Sequence, residues 1–252
     1  MNLEQCKVLS QVEYGSRFQH LDDDQSDHDY MFLVLESMKD MIFRNNDKGA
    51  CEKDENKYFN LSKFYKIVMN GSYDGLIMLA AQYSNYYQYK FDITTLIYHF
   101  FSNKDVLNNY YRSIKKSLIL SLCGQAYKMK LNDAKSILNI FALFSRACYF
   151  NDNQYKNVAL NDVVKQSTHY KNKDIMQWLR THKRINHFEQ LSGQFKNEFN
   201  EDLDQILNDI REQMNQFYFN FKNEKSLHFK YGEQFTDELT NFLVNQYVIE
   251  NN

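Results

Sequence analysis

Proline is absent from all 252 positions, and glycine occurs only seven times. Average usage is about 5% for the first and about 7% for the second. Proline ends helices and presets turns, and glycine supplies the positive-φ corners that tight loops need. A chain that nearly dispenses with both has few sharp reversals open to it and is expected to be rich in helix. The few glycines therefore carry weight, and Gly15 and Gly71 each fall at a boundary between patterned segments. The length suits one generous domain or two small ones, either with a substantial core.

Patterning changes near residue 61. Residues 1–60 mix short apolar runs with polar turns, whereas the rest reads in helical periods, so the expected organisation is a head over 1–60 and a helical body over 61–252. In the head, Lys7 to Tyr14 reads as a helix end leading into a short strand. Asp29 to Glu36 (DYMFLVLE) has the length and apolarity of a central strand, Lys39 to Asn45 is its expected neighbour, and Asp47 to Lys57 is expected to be a charged loop. In the body, Phe64, Ile67 and Val68 are followed by Leu76, Ile77, Leu79 and Ala80, with Asn70-Gly71 as the break. Apolar stripes continue through Leu96 to Phe101, Ile114 to Leu122 and Ile137 to Phe150. The series Phe195, Phe199, Leu203, Ile206, Ile210, Met214, Phe217 steps by three and four and predicts one amphipathic helix of five or six turns, and another helix closes the chain around Leu239 to Val248. The fold class expected is α+β, a small mixed sheet with flanking helices followed by an all-helical body.

Composition removes several classes. A net charge of −2 argues against a uniformly basic nucleic-acid binder, so any such contact needs a local patch. Cys6, Cys51, Cys123 and Cys148 form no close pair, which argues against a zinc knuckle, a redox CxxC or a disulfide framework and points to a reducing cytoplasm. The sequence opens without a charged-then-apolar leader, and apolar runs such as Leu76 to Ala81 fall far short of the roughly 18 residues of a span, so no membrane is expected. The abundance of Tyr, Phe, Asn and Lys suggests an AT-rich coding sequence, viral or from a low-GC bacterium.

The chemistry concentrates between Gly15 and Glu36 (GSRFQHLDDDQSDHDYMFLVLE). Side chains two apart on a strand share a face, so Asp27 and Asp29 at the mouth of the apolar run are expected to project side by side. Adjacent carboxylates repel unless a cation lies between them, and hard oxygen ligands select Mg²⁺ or Mn²⁺. Upstream, Gly15 permits a sharp turn and close backbone approach, while Ser16 offers a cap and a hydroxyl. A short helix starting there would present free N–H groups to a phosphate. A phosphate-gripping turn beside a metal-gripping acid pair is the equipment of nucleotidyl transfer.

Gly15-Ser16 followed by Ser26-Asp27-His28-Asp29 resembles the signature of the DNA-polymerase-β-type nucleotidyltransferases, and the chain is most similar to their stand-alone phage and bacterial members associated with RNA repair. Asn60-Leu61-Ser62-Lys63-Phe64, Asn70 to Asp74 and Leu76 to Leu79 resemble that group's first helical hairpin, and Ala134 to Leu138 its later helix. The resemblance implies NMP transfer from a nucleoside triphosphate to a hydroxyl, foremost an RNA or tRNA end, in the cytoplasm of a cell or of a phage's host. It implies Asp27 and Asp29 as catalytic carboxylates holding Mg²⁺ or Mn²⁺, and Gly15 and Ser16 on the outer phosphates. Arg17 and Lys63 are candidate phosphate contacts, each weighed against a plain surface cation. A third metal ligand falls at Asn60, with Asp54 or Glu55 as substitutes in another register. Ala142 stands where the group commonly has arginine, Tyr73 where it has proline and Ile77 where it has glutamate.

Other features read more plainly. The seven histidines lack ligand spacing, and His28 is expected to face away from its flanking aspartates. Lys171, Lys173, Arg180, Lys183 and Arg184, with Trp178, His182 and His187, form a basic stretch that suits either a phosphate backbone or a wet helix face. The main rival function is a catalytically silent relative that binds nucleotide, RNA or a host protein. A third class is a transferase that modifies a protein or an antibiotic.

Overall fold

A computed structural model describes residues 3–23, 26–36, 49–86 and 92–250. A 3-10 turn, Leu3–Gln5, leads into β1, Lys7–Tyr14, which is strand throughout and not the helix end that the sequence suggested. The strand β2, Asp29–Leu35, runs antiparallel to it, with Tyr14 opposite Asp29 and Val12 opposite Met31. The expected strand over Lys39 to Asn45 lies outside the described residues. From Ala50 the segment read as a charged loop is a hairpin: β3, Ala50–Lys53, and β4, Asn56–Asn60. Asp54 and Glu55, both at positive φ, turn it, as two-residue hairpin corners require.

The sheet order is β1-β2-β4-β3, and β2 and β4 are parallel, pairing Met31 with Lys57 and Leu33 with Phe59. One face is apolar, with Val12, Met31, Leu33 and Leu35 buried under helices. The other carries the half-buried stacked pair Phe32 and Tyr58. Strand β4 passes directly into α1, Leu61–Met69, which packs on β2 and β4. Asn70 and Gly71, the latter at φ +64, break the chain before α2, Tyr73–Asn85. Helices α2 and α3, Asp92–Phe101, cover β1.

The body continues with α4 (Lys104–Lys128), α5 (Ala134–Asn151), α6 (Leu160–Thr168), α7 (Lys173–Thr181), α8 (Phe188–Phe199), α9 (Leu203–Lys222) and α10 (Gly232–Glu250). Helix α5 is its axis: α4, α6, α7 and α9 all pack on it, and every residue from Ile140 to Phe150 is buried. A helix apolar on all sides has to lie inside. The long stripe from Phe195 to Phe217 is two helices, not one. Asn200 closes α8 in the left-handed region at φ 53, and Asp202 caps α9 by accepting from the N–H groups of Asp204 and Gln205. Buried side chains form one cluster from Leu9 to Leu239, so sheet and helices share a core. Among the described residues no helix is long and apolar enough to cross a membrane.

Candidate functional site

Tyr14 ends β1, and the chain turns at once at Gly15, whose φ of +84 lies in the region that favours glycine. A Cβ built on Gly15 would overlap Asp29 Oδ2, so this backbone approaches the carboxylate as closely as the missing side chain allows. Residues 16–21 then make one hydrogen-bonded turn, with Gln19 N donating to Gly15 O at 3.1 Å and Leu21 N to Ser16 O at 2.9 Å. The turn does not grow into the short α-helix expected here.

The approach to Asp27 is fastened through Ser26. Arg17 points Nε and Nη2 at the Ser26 carbonyl, at 2.9 and 2.6 Å. Lys183 Nζ donates to Ser26 Oγ at 3.0 Å and to the Leu21 carbonyl at 3.1 Å. The same hydroxyl donates to Asp23 Oδ1 and accepts from Asp23 N. Arg180 Nε donates to the Asp22 carbonyl at 2.9 Å. The basic stretch therefore clamps the acidic loop in front of Asp27 onto the body. Trp178 stacks on His182 and meets Phe195 and Phe199 edge-on, so it serves packing.

Between the end of the sheet and the helices lies a cleft of about 880 Å³. Gly15, Ser16, Asp27 and Asp29 all line it; Glu55, from the hairpin corner, joins them, while Asp54 is not among the lining residues. Lys57 also faces in, its Nζ 5.0 Å from the centre of the Tyr14 ring. Lys135 and Arg146 of α5 come from the helical side, followed by Lys183 and Arg184 beyond α7. Most of the acid lies on the head, with Lys57 among it, and most of the base on the body, with Asp74 of α2 among it. Burial, reinforced by Asp74, Tyr73 and Asp29, raises the Tyr14 phenol. Burial likewise raises the phenol of Tyr73, against the pull of Arg146. Both rings remain protonated donors at neutral pH.

Three predicted residues stand apart from this wall. Arg17 holds the Ser26 loop, and Lys63 on α1 lies outside the cleft lining. Asn60 is 3% exposed at the other end of β4, opposite Val34. Its Oδ1 accepts from Lys63 N and its Nδ2 donates to Glu36 Oε2, both at 2.8 Å. Both ends of the amide are consumed in joining strand to helix, which removes it from the role of third metal ligand. His28 bonds Glu13 at 2.8 Å on the opposite face of the sheet, as expected.

No group of three His, Cys, Asp or Glu side chains able to hold a metal occurs among the described residues. Mg²⁺ ordinarily takes one or two protein carboxylates and completes its shell with water and substrate phosphates. The pair Asp27 and Asp29 fits that donor set.

Two residues at the site were missed from the sequence. Ser26 was read as part of a motif and not as the knot of the loop. Arg146 is the one charge in the buried run Ile140 to Phe150, and a charge inside an apolar stripe was the available signal. It stands four residues, one helical turn, beyond Ala142.

On this geometry the chain is an α+β protein with a four-stranded mixed sheet, a helical body and a polar cleft between them. Comparisons with protein-family models, curated proteins and solved structures return no match.

Proposed function

We propose that the cleft is the active site of a Mg²⁺-dependent nucleotidyltransferase of the DNA-polymerase-β type, moving NMP from a nucleoside triphosphate to a hydroxyl, foremost that of an RNA or tRNA end. The observation that carries this reading is the meeting of the Gly15-Ser16 turn with Asp27 and Asp29 on one wall of a cleft whose helical side carries Lys135, Arg146, Lys183 and Arg184 beside Asp74. The Gly15-Ser16 turn binds the outer phosphates, with Lys183 and Arg184 placed to offset their charge. Asp27 and Asp29 would hold a divalent ion, which when bound would neutralise the triphosphate and make an acceptor hydroxyl easier to deprotonate. The acceptor oxygen bonds to the α-phosphorus as the bond to the β-phosphate oxygen breaks, its proton passes to water, and pyrophosphate leaves. Ser26, through Arg17 and Lys183, keeps Asp27 at the rim.

The test is incubation with each α-labelled nucleoside triphosphate, Mg²⁺ or Mn²⁺, and total RNA. Label enters RNA with the native chain, and Asp27→Asn lowers transfer by about two orders of magnitude or more, since several kcal/mol of charge stabilisation depend on the carboxylate. Label on a protein or a small molecule would move the acceptor to another class.

Two observations favour a second reading. Lys57 stands on the face of the sheet that carries Asp29, and no third carboxylate completes a metal group among the described residues. A nucleotide-binding relative without turnover accounts for both. Binding of nucleotide with no transfer to RNA, protein or small molecule selects it.

A further inference from the structure

Arg146 is 2% exposed, and among the described residues no carboxylate pairs with it. A buried charge without a counter-charge is strongly disfavoured and is ordinarily neutralised by a partner. What surrounds Arg146 holds it in place without cancelling its charge. Thr168 Oγ1 accepts from Nε at 3.2 Å and from Nη2 at 2.9 Å, and donates its own hydrogen bond to the Val164 carbonyl. The guanidinium carbon lies over the Tyr73 ring, 4.4 Å from its centre. Nη1 takes no part in these bonds, and the residue lines the cleft. The cleft carries both signs: Lys135 and Lys183 share it with Arg146, and so do Asp27, Asp29 and Asp74, yet none of these carboxylates forms an ion pair with the guanidinium, whose field reaches His20 and His169.

We propose that Arg146 is a phosphate seat, a guanidinium fixed from behind by Thr168 and Tyr73 so that its free edge binds phosphoryl oxygens of a ligand in the cleft. Its planar fork suits phosphate or carboxylate alike. Lysines on the same wall favour the more highly charged phosphate. The seat deepens the nucleotidyltransferase reading by assigning the body-side contact to the triphosphate, yet it requires only binding, not transfer. It also explains why an arginine is tolerated inside a helix that is buried on every side: the charge is compensated when the ligand arrives.

The experiment is calorimetric titration of the full chain with inorganic tripolyphosphate in EDTA, where the carboxylate pair cannot contribute through a metal. The native chain is expected to bind, and Arg146→Met to bind about tenfold to a hundredfold more weakly, the worth of hydrogen bonds to a charged group. The melting temperature of ligand-free Arg146→Met is expected to equal or exceed that of the native chain, since the substitution removes an uncompensated charge. Unchanged tripolyphosphate binding in Arg146→Met overturns the proposal, as does a native chain that binds citrate but not tripolyphosphate. Should Arg146→Met fail to fold, Arg146→Lys decides, because it keeps the charge and loses the fork: binding weakened about tenfold supports the seat, and unaltered binding removes it. Transfer is not the readout, so a chain that labels nothing can still pass. Conversely, a chain that transfers through Asp27 can fail here alone.

Discussion

Asn60 joins the sheet to the helical body through one small side chain. Its backbone N–H donates to Gly49 O at 3.0 Å, its amide oxygen caps α1, and its amide nitrogen meets the Glu36 carboxylate. Losing the cap costs about 1 kcal/mol, and losing a hydrogen bond to a buried carboxylate costs about 1.5–3 kcal/mol. Asn60→Ala should therefore lower the unfolding free energy by roughly 2–4 kcal/mol in a urea titration, while transfer per folded molecule stays near native. A metal ligand would show the reverse, a small stability change with lost transfer. The turn at Gly15 could be read from the sequence because glycine is the residue that a positive-φ corner favours. Asn60 was misread because spacing along the chain does not reveal which end of a strand faces the cleft.

Among the elements, those with dense apolar pattern were legible, including β2, the break at Asn70-Gly71 and the stripes of α3, α4 and α5. Two were not, for separate reasons. The hairpin of β3 and β4 is charged because β3 is an edge strand, where exposed charge guards against further pairing, and charge in sequence reads as loop. The α8–α9 break was hidden because Phe199 and Leu203 happen to keep helical spacing across a polar corner. That corner nonetheless holds two stop signals, Asn200 at positive φ and the capping Asp202. Asp202→Ala should destabilise the chain by about 1 kcal/mol in denaturant unfolding, and Asn200→Gly, which keeps the left-handed corner open, should leave the midpoint nearly unchanged. A continuous helix would respond in the opposite sense, with glycine the costly change.

For the molecule as a whole, the cleft depends on segments far apart in sequence: the turns after β1, the α5 axis and the basic clamp beyond α7. The clamp draws positive charge around two histidines. His20 is lowered from 6.5 first by burial and then by Lys165, with Asp22 opposing; His169 is lowered by burial, then by His20, Arg180, Arg146 and Lys173. Since both are held neutral in the native state, the unfolded chain binds more protons once the pH falls below about 6.5. This contribution is fully present above that value and is lost as the pH falls towards the lower native pKa values. The urea midpoint is expected to drop between about pH 7.5 and 5.5, with His169→Gln flattening the profile; a profile unaltered by that substitution would remove His169 from the account. The sequence by itself determined the helix-rich body and the strand that begins at Asp29, because each rests on periodicity within a short segment. Only the tertiary structure decided that Asn60 caps a helix, that Ser26 ties the acidic loop to Lys183, and that Arg146 faces the aspartates' cleft. Those outcomes depend on which distant side chains share a buried space, and that is set when the core closes.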